Sequence, residues 1–352
     1  MFKWVCSGTW YVFGLDNAMD VAVRLLRIFG SPYVRVEPFI PGVDEVEELY
    51  GYACKNRIGF YFLYTLERLG VLPEMLRGEY ERGKLRYCRI LEVMVEVSEC
   101  LNSEGIEHVV YKSLRPYPST TVDIDVIIFN DYERAYVTLR RKGYRLWGFG
   151  PETVTLMDPS GSVGIDLYRE VAISRVIYLD KWKLRKYRRD VKVSSGKVVS
   201  LTPEADIVAV VAHLTMKEQM FTLADYYTIL YHLKNSEMNI LCKLAGELCV
   251  EGSLHFVLLL MSVLHQRVYG KPLIASRVRG ALYDEVRGVL EGRLEFPVKL
   301  GLKTMTRIMV GKLLMDGRTR SSMVSQILYL MRRSYLRFFI SQLIDHMVRE
   351  TY

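Results

Sequence analysis

Paired cysteines, amide side chains and long apolar runs are all scarce in this chain. Its six cysteines are Cys6, Cys54, Cys88, Cys100, Cys242 and Cys249, and none stands in a Cys-x-x-Cys spacing. That argues against zinc ligands. Four of them fall in helix-like apolar patterns, so buried free thiols are expected rather than disulfides. The 352 residues include only 4 Gln and 6 Asn beside many Arg, Glu and Tyr. A shortage of thermolabile amides points to a thermophile. The longest apolar run, Phe256 to Leu264, is about nine residues with Ser262 inside it, where a membrane span needs about 20. Met1-Phe2-Lys3-Trp4 lacks the basic segment and apolar core of a signal peptide. A cytoplasmic location is therefore expected. No internal repeat or low-complexity segment occurs.

What is present is an ordinary globular balance, 50% hydrophobic and 25% charged. The length allows one large core or two to three small ones. A formal net charge of +8 favours an anionic partner such as nucleic acid, a nucleotide or an acidic protein surface.

Apolar spacing divides the chain. Trp10 to Phe13 suggests a short strand, and Asp20 to Phe29 a helix stopped by Gly30-Ser31-Pro32. Residues 43–76 read as helical, with a break at Gly70 to Pro73. Residues 84–104 form the clearest helix of the first half, with Gly105 following it. Strands are expected at 106–111, 120–129, 144–149, 153–157 and 163–168, with a helix from about 131 to 142 and a hairpin over 190–201. From Thr202 onward the pattern is helical, with further helices near 222–234, 238–250, 253–268, 276–291, 297–315 and 320–350. The expected fold class is α+β. A small mixed-sheet core over 86–201 is flanked by helical regions at 1–85 and 202–352.

Within this frame the stretch Thr121-Val122-Asp123-Ile124-Asp125-Val126-Ile127-Ile128-Phe129 is unusual. Alternation along a strand puts Asp123 and Asp125 on the same face. Two carboxylates that close repel unless a cation lies between them, and oxygen-only ligands suit Mg²⁺ or Mn²⁺. The bland alternative is a strand whose acidic edge faces water. Asp166, in Gly164-Ile165-Asp166-Leu167-Tyr168, supplies a third acid if its strand lies alongside. Three such carboxylates could hold one or two divalent ions, with Asp166 near the nucleophile or taking its proton.

A helix, Gly105-Ile106, a strand ending in Lys112, a proline-bearing loop, Asp-Ile-Asp-Val, a helix to Lys142-Gly143-Tyr144 and Gly-Ile-Asp-Leu follow in that order. This order resembles the core of the DNA polymerase β-like nucleotidyltransferase superfamily, most of all its poorly characterised bacterial and archaeal families. Thr202-Pro203-Glu204-Ala205-Asp206 with His213, Lys217 and Asp225-Tyr226 resembles the helical segment that follows that core. The likeness covers roughly residues 50–234. It implies a metal-dependent transfer of a nucleoside monophosphate from an NTP, ATP among them, to an acceptor hydroxyl. Asp123, Asp125 and Asp166 would be the catalytic and metal-binding residues. Lys112, Ser113, Arg115, His213 and Lys217 would hold the nucleotide. The acceptor could be a small molecule, a protein or RNA. One departure is plain: the superfamily's Gly-Ser or Gly-Gly turn is here Lys112-Ser113-Leu114-Arg115.

Each of these residues also has a bland reading. Lys112 and Arg115 could be solvated loop charges. His213 and Lys217, at i and i+4, could face a phosphate, or His213 could be satisfied by a local acid. No Glu follows His213 in an H-E-x-x-H pattern, so zinc is not expected. Asp225 suits a helix cap. The run Asp180 to Lys192 carries seven basic residues, with Trp182 and Tyr187 as stacking platforms. It could track RNA or form a solvated face. Met305, Met309, Met315, Met323 and Met331 suit core or interface. The changed turn favours one alternative, an inactive nucleotidyltransferase-fold binding protein; the basic run favours another, an RNA-binding protein.

Overall fold

A computed structural model of the chain describes residues 20–273 and 294–330, together with Val286, Gly288 and Leu290. The expected strand at Trp10 to Phe13, most of the expected helix at 276–291, the end of that at 320–350, Cys6 and Met331 lie outside them. The fold is α+β.

The chain opens on helices α1 (Val21–Phe29), α2 (Val43–Lys55) and α3 (Gly59–Leu69). The continuous helix expected over 43–69 is broken between α2 and α3. Arg57 there takes φ +60°, and buried Asn56 donates from Nδ2 to the Phe296 carbonyl at 3.1 Å. Helix α4 (Arg77–Ser103) starts earlier than residue 84 and runs unbroken across residue 85. Gly83 lets it approach α3, because a Cβ there would lie 2.5 Å from Phe60 Cδ2.

Strands β1 (His108–Val110) and β2 (Asp123–Ile128) follow, then α5 (Tyr132–Arg141), β3 (Arg145–Phe149), β4 (Thr153–Met157) and β5 (Gly164–Tyr168). A hairpin the sequence did not suggest comes next, β6 (Val171–Ile173) and β7 (Val176–Leu179). Short helix α6 (Lys181–Leu184) leads to the expected hairpin of β8 (Arg188–Val193) and β9 (Gly196–Leu201). One seven-stranded mixed sheet has the order β3-β4-β5-β2-β1-β9-β8. Strand β2 lies near its middle, antiparallel to β1 and parallel to β5.

Alternation along β2 divides two cores. Ile124, Val126 and Ile128 face α4 and α5, while Ile127 and the following Phe129 join the larger cluster on the other side. That larger cluster combines α1 to α3 with α7 (Pro203–Ala212), α8 (Leu223–Lys234), α9 (Met238–Glu247) and α10 (Glu251–Tyr269). Helices from both ends of the chain therefore cover one face of the sheet. Strands β10 (Met220–Phe221) and β11 (Val298–Lys299) pair as a small ribbon before α11 (Leu302–Met315) and α12 (Gly317–Leu330).

Cys54, Cys88, Cys100, Cys242 and Cys249 are free thiols, but only Cys100 is buried; Cys54, Cys88 and Cys242 are exposed. Helical apolar spacing gave their neighbours a buried face and left these three beside it. Met305 is buried in the core, while Met309 and Met315 are exposed. Among the described residues no helix is long and apolar enough to cross a membrane.

Candidate functional site

Parallel pairing of β2 with β5 sets Asp123 opposite Gly164 and Asp125 opposite Asp166. Residues in register on neighbouring strands point to the same face. Asp123, Asp125 and Asp166 therefore share the face covered by the helical layer. They line a cavity of about 700 Å³, and Lys112, Arg115, His213 and Lys217 line it too. Gly164 makes room for this group, because a Cβ there would lie 2.2 Å from Asp123 Oδ1.

Asp125 is the most buried of the three acids and the most fully engaged. Its Oδ1 lies 3.0 Å from Lys112 Nζ. Its Oδ2 accepts a 2.8 Å bond from the Ser113 hydroxyl, which accepts in turn from the Asp125 N–H at 2.9 Å. Burial, the largest influence, would raise the Asp125 carboxyl, but Lys112, by charge and hydrogen bond, together with His213 and Lys217 outweighs it and holds the group below the usual range. Asp123 is half-buried, and among the described residues nothing donates to its carboxylate. Burial, then the charges of Asp166 and Asp125, push it up to about 6. Asp166 accepts a 2.6 Å bond from Thr155 on β4. Burial raises it, the Thr155 bond works against that, and the Asp125 charge adds to the rise.

Lys112 stands at φ +50° in the turn after β1. Its backbone N–H donates to Asp206 Oδ1 near the start of α7, at 2.8 Å. Its ammonium also lies 3.3 Å from His213 Nε2. His213 and Lys217 were expected on a regular helix face. The backbone instead widens after α7 into a π turn, His213–Glu218, a form that recurs at functional sites. The local acid for His213 is Glu218, with Oε1 3.2 Å from Nε2, while Nδ1 meets the Tyr178 hydroxyl at 3.2 Å. Burial, then the Lys112 charge, push His213 down to about 4, so it is neutral at pH 7. Burial and Lys112 also lower Lys217, which makes no ion pair among the described residues.

Arg115 donates to the Tyr117 hydroxyl at 3.1 Å, and that hydroxyl donates to the Ala224 carbonyl at 3.0 Å. Asp225 is a cap residue: with Thr222 it forms a reciprocal box at the start of α8. The basic run 181–192 is divided among α6, a tight turn and β8. Arg185 and Arg188 pair with Glu107, and Lys186 pairs with Glu247.

All-carboxylate donors suit Mg²⁺ or Mn²⁺. In the arrangement observed, however, no three His, Cys, Asp or Glu side chains converge closely enough to hold a metal ion among the described residues. Both Asp125 oxygens are already taken. A divalent ion does not fit the acids as they stand.

Sequence reasoning gave no site role to Thr155, Tyr178 or Glu218, nor to Gly164 and Asp206, although those two stood in the motifs that carry the resemblance. Gly164 had a signal, a glycine two residues before a strand aspartate. Glu218 had none, because five-residue spacing from His213 joins side chains only on a π turn.

No protein-family model matches this chain, and no curated protein matches it. Among solved structures it is similar to an antigenic nucleotidyltransferase-like protein from Paracoccidioides brasiliensis, at 15% identity and a TM-score of 0.31. The match covers 47% of this chain and 92% of that one. A likeness that faint carries no argument about activity.

Proposed function

We propose that the protein is a nucleotidyltransferase that binds an NTP in the cavity and transfers a nucleoside monophosphate to an acceptor hydroxyl. One observation carries the reading. Three aspartates on two parallel strands share one face, two of them in register, on a cavity that Lys112, Arg115 and Lys217 also line. The cations would receive the triphosphate, with Arg115 presenting its free N–H groups. The acceptor oxygen would attack the α-phosphorus as the bond to the bridging oxygen breaks. Pyrophosphate would leave, and Asp166, held by Thr155, would take the hydroxyl proton. Mg²⁺ or Mn²⁺, expected from the sequence, has no place here until Asp125 is freed, and no step is assigned to it.

The test is label transfer from α-³²P-labelled ATP, GTP, CTP or UTP to a cell extract by the purified protein. Asp125→Asn should fold and transfer about 100-fold less; full transfer by that variant would reject the site. The ion pair that occupies Asp125 favours a second reading, a nucleotide-binding protein without transfer. In that case the labelled NTP binds and no label moves. The ion pairs of Arg185, Lys186 and Arg188 use much of the basic run within the fold, so RNA binding through it is not the reading adopted.

A further inference from the structure

Lys112 is placed as though its ammonium were a structural component of the acid site. A residue other than glycine at φ +50° is strained. The turn is nonetheless held there, because the Lys112 N–H is bound by Asp206. From that backbone the side chain delivers Nζ to 3.0 Å from Asp125 Oδ1, with both side chains largely shielded from water. Ser113 holds the other oxygen. His213, neutral and fixed by Tyr178 and Glu218, also lies beside the ammonium, with Nε2 3.3 Å from Nζ. A buried carboxylate needs a counter-charge, and here the chain supplies it.

We propose that Lys112 is a tethered counter-ion of the acid site. It holds the Asp125 oxygen that a divalent cation would take, so lysine and Mg²⁺ or Mn²⁺ compete for one position. A lysine suits this, because a compact ammonium on a flexible stem can leave while the backbone stays pinned. Once displaced, the ammonium lies in the cavity where a triphosphate would meet it. The inference rests on the nucleotidyltransferase reading for that last destination alone. Competition for Asp125 is independent of turnover.

The experiment is a Mn²⁺ titration of the full chain without nucleotide, with free Mn²⁺ read by electron paramagnetic resonance. Lys112→Met should bind Mn²⁺ about tenfold tighter than the wild type, because a charge in contact with the ligand oxygen is removed. Lys217→Met removes a charge that pairs with no carboxylate among the described residues, and should change affinity by no more than about threefold. Adding Asp125→Asn to Lys112→Met should remove the gain. If Lys112→Met does not fold, Lys112→Gly serves, since glycine accepts this φ without strain. A folded Lys112 variant that binds Mn²⁺ no tighter than the wild type overturns the proposal. So does an equal gain from Lys217→Met, which would make the effect one of general charge. Loss of nucleotidyl transfer in Asp125→Asn bears on the function and leaves this outcome untouched.

Discussion

Ser113 and Gly164 do the least conspicuous work around Asp125 and Asp123. The Ser113 hydroxyl both donates to the Asp125 carboxylate and accepts from its N–H. Ser113→Ala strands both buried partners, so it should cost about 1–3 kcal/mol in urea denaturation. An unchanged midpoint would mean that water or another group takes over. Gly164→Ala acts differently. Its Cβ would collide with the end of the Asp123 side chain, not with backbone, so Asp123 can turn away and the fold survives. Label transfer should fall about tenfold with little change in melting temperature, since misplaced catalytic groups cost rate steeply. Retention of full transfer would show that Asp123 is not needed where it stands. At this scale the acids were legible, because a period of two fixes which side chains share a face. The partners of Lys112 and His213 were not. Asp206 looks like an ordinary first-turn acid of α7, and Glu218 is brought to His213 only by the π turn.

Among the elements, the β4–β5 connection shows how a turn places the strand that carries Asp166. Its Asp158 is fully buried. Oδ1 accepts from the backbone N–H of Ser162 at 2.7 Å and of Val163 at 2.8 Å, and Oδ2 accepts from Arg89 of α4 at 2.9 Å. Burial pushes this carboxyl up, but the Ser160 hydroxyl, the Val163 N–H, Arg89 and the Ser162 N–H together hold it well below the usual range. The folded state therefore resists protonating it. Its contribution to stability is whole above the unfolded value of about 3.9 and is lost as pH falls from there through the folded value. Asp158→Asn should cost about 1–3 kcal/mol at neutral pH. The gap to the wild type should narrow below about pH 4, where Asp158 of the unfolded wild-type chain begins to take up a proton while the folded state still resists it. Urea midpoints across that range check it, and a gap independent of pH would contradict the assignment. The turn Asp158-Pro159-Ser160-Gly161 was readable from its residue types. The β6–β7 hairpin was not, because its turn uses Ser174 at φ +45° and Arg175 at φ +76°, where glycine or asparagine would have signalled it. The break at Arg57 was hidden for the same reason.

For the whole molecule, the point sequence periodicity could not convey is which helices share a core. Apolar spacing marks a buried face on each of α1 to α3 and on α7 to α10, and says nothing of what each faces. They face one another. Phe29 stacks on Tyr61 with centroids 4.7 Å apart and meets Tyr227 edge-on at 5.0 Å, and Tyr61 packs on Tyr117 at 4.6 Å. Tyr117 belongs to the loop that carries Lys112 and Arg115, so helices from both ends of the chain clamp the cationic side of the site. Leu66 on α3 and Leu260 on α10 are both fully buried in this cluster. Each changed to Ala should cost about 2–5 kcal/mol. Because the cluster is continuous, both variants should shift the same unfolding transition, seen alike by far-UV circular dichroism and tyrosine emission. The Lys112 loop rests on the same cluster, so nucleotide binding should disappear within that transition and not ahead of it. If Leu66→Ala splits the curve in two while Leu260→Ala does not, the first three helices form a separate unit. The clamp on the Lys112 loop would then be one-sided.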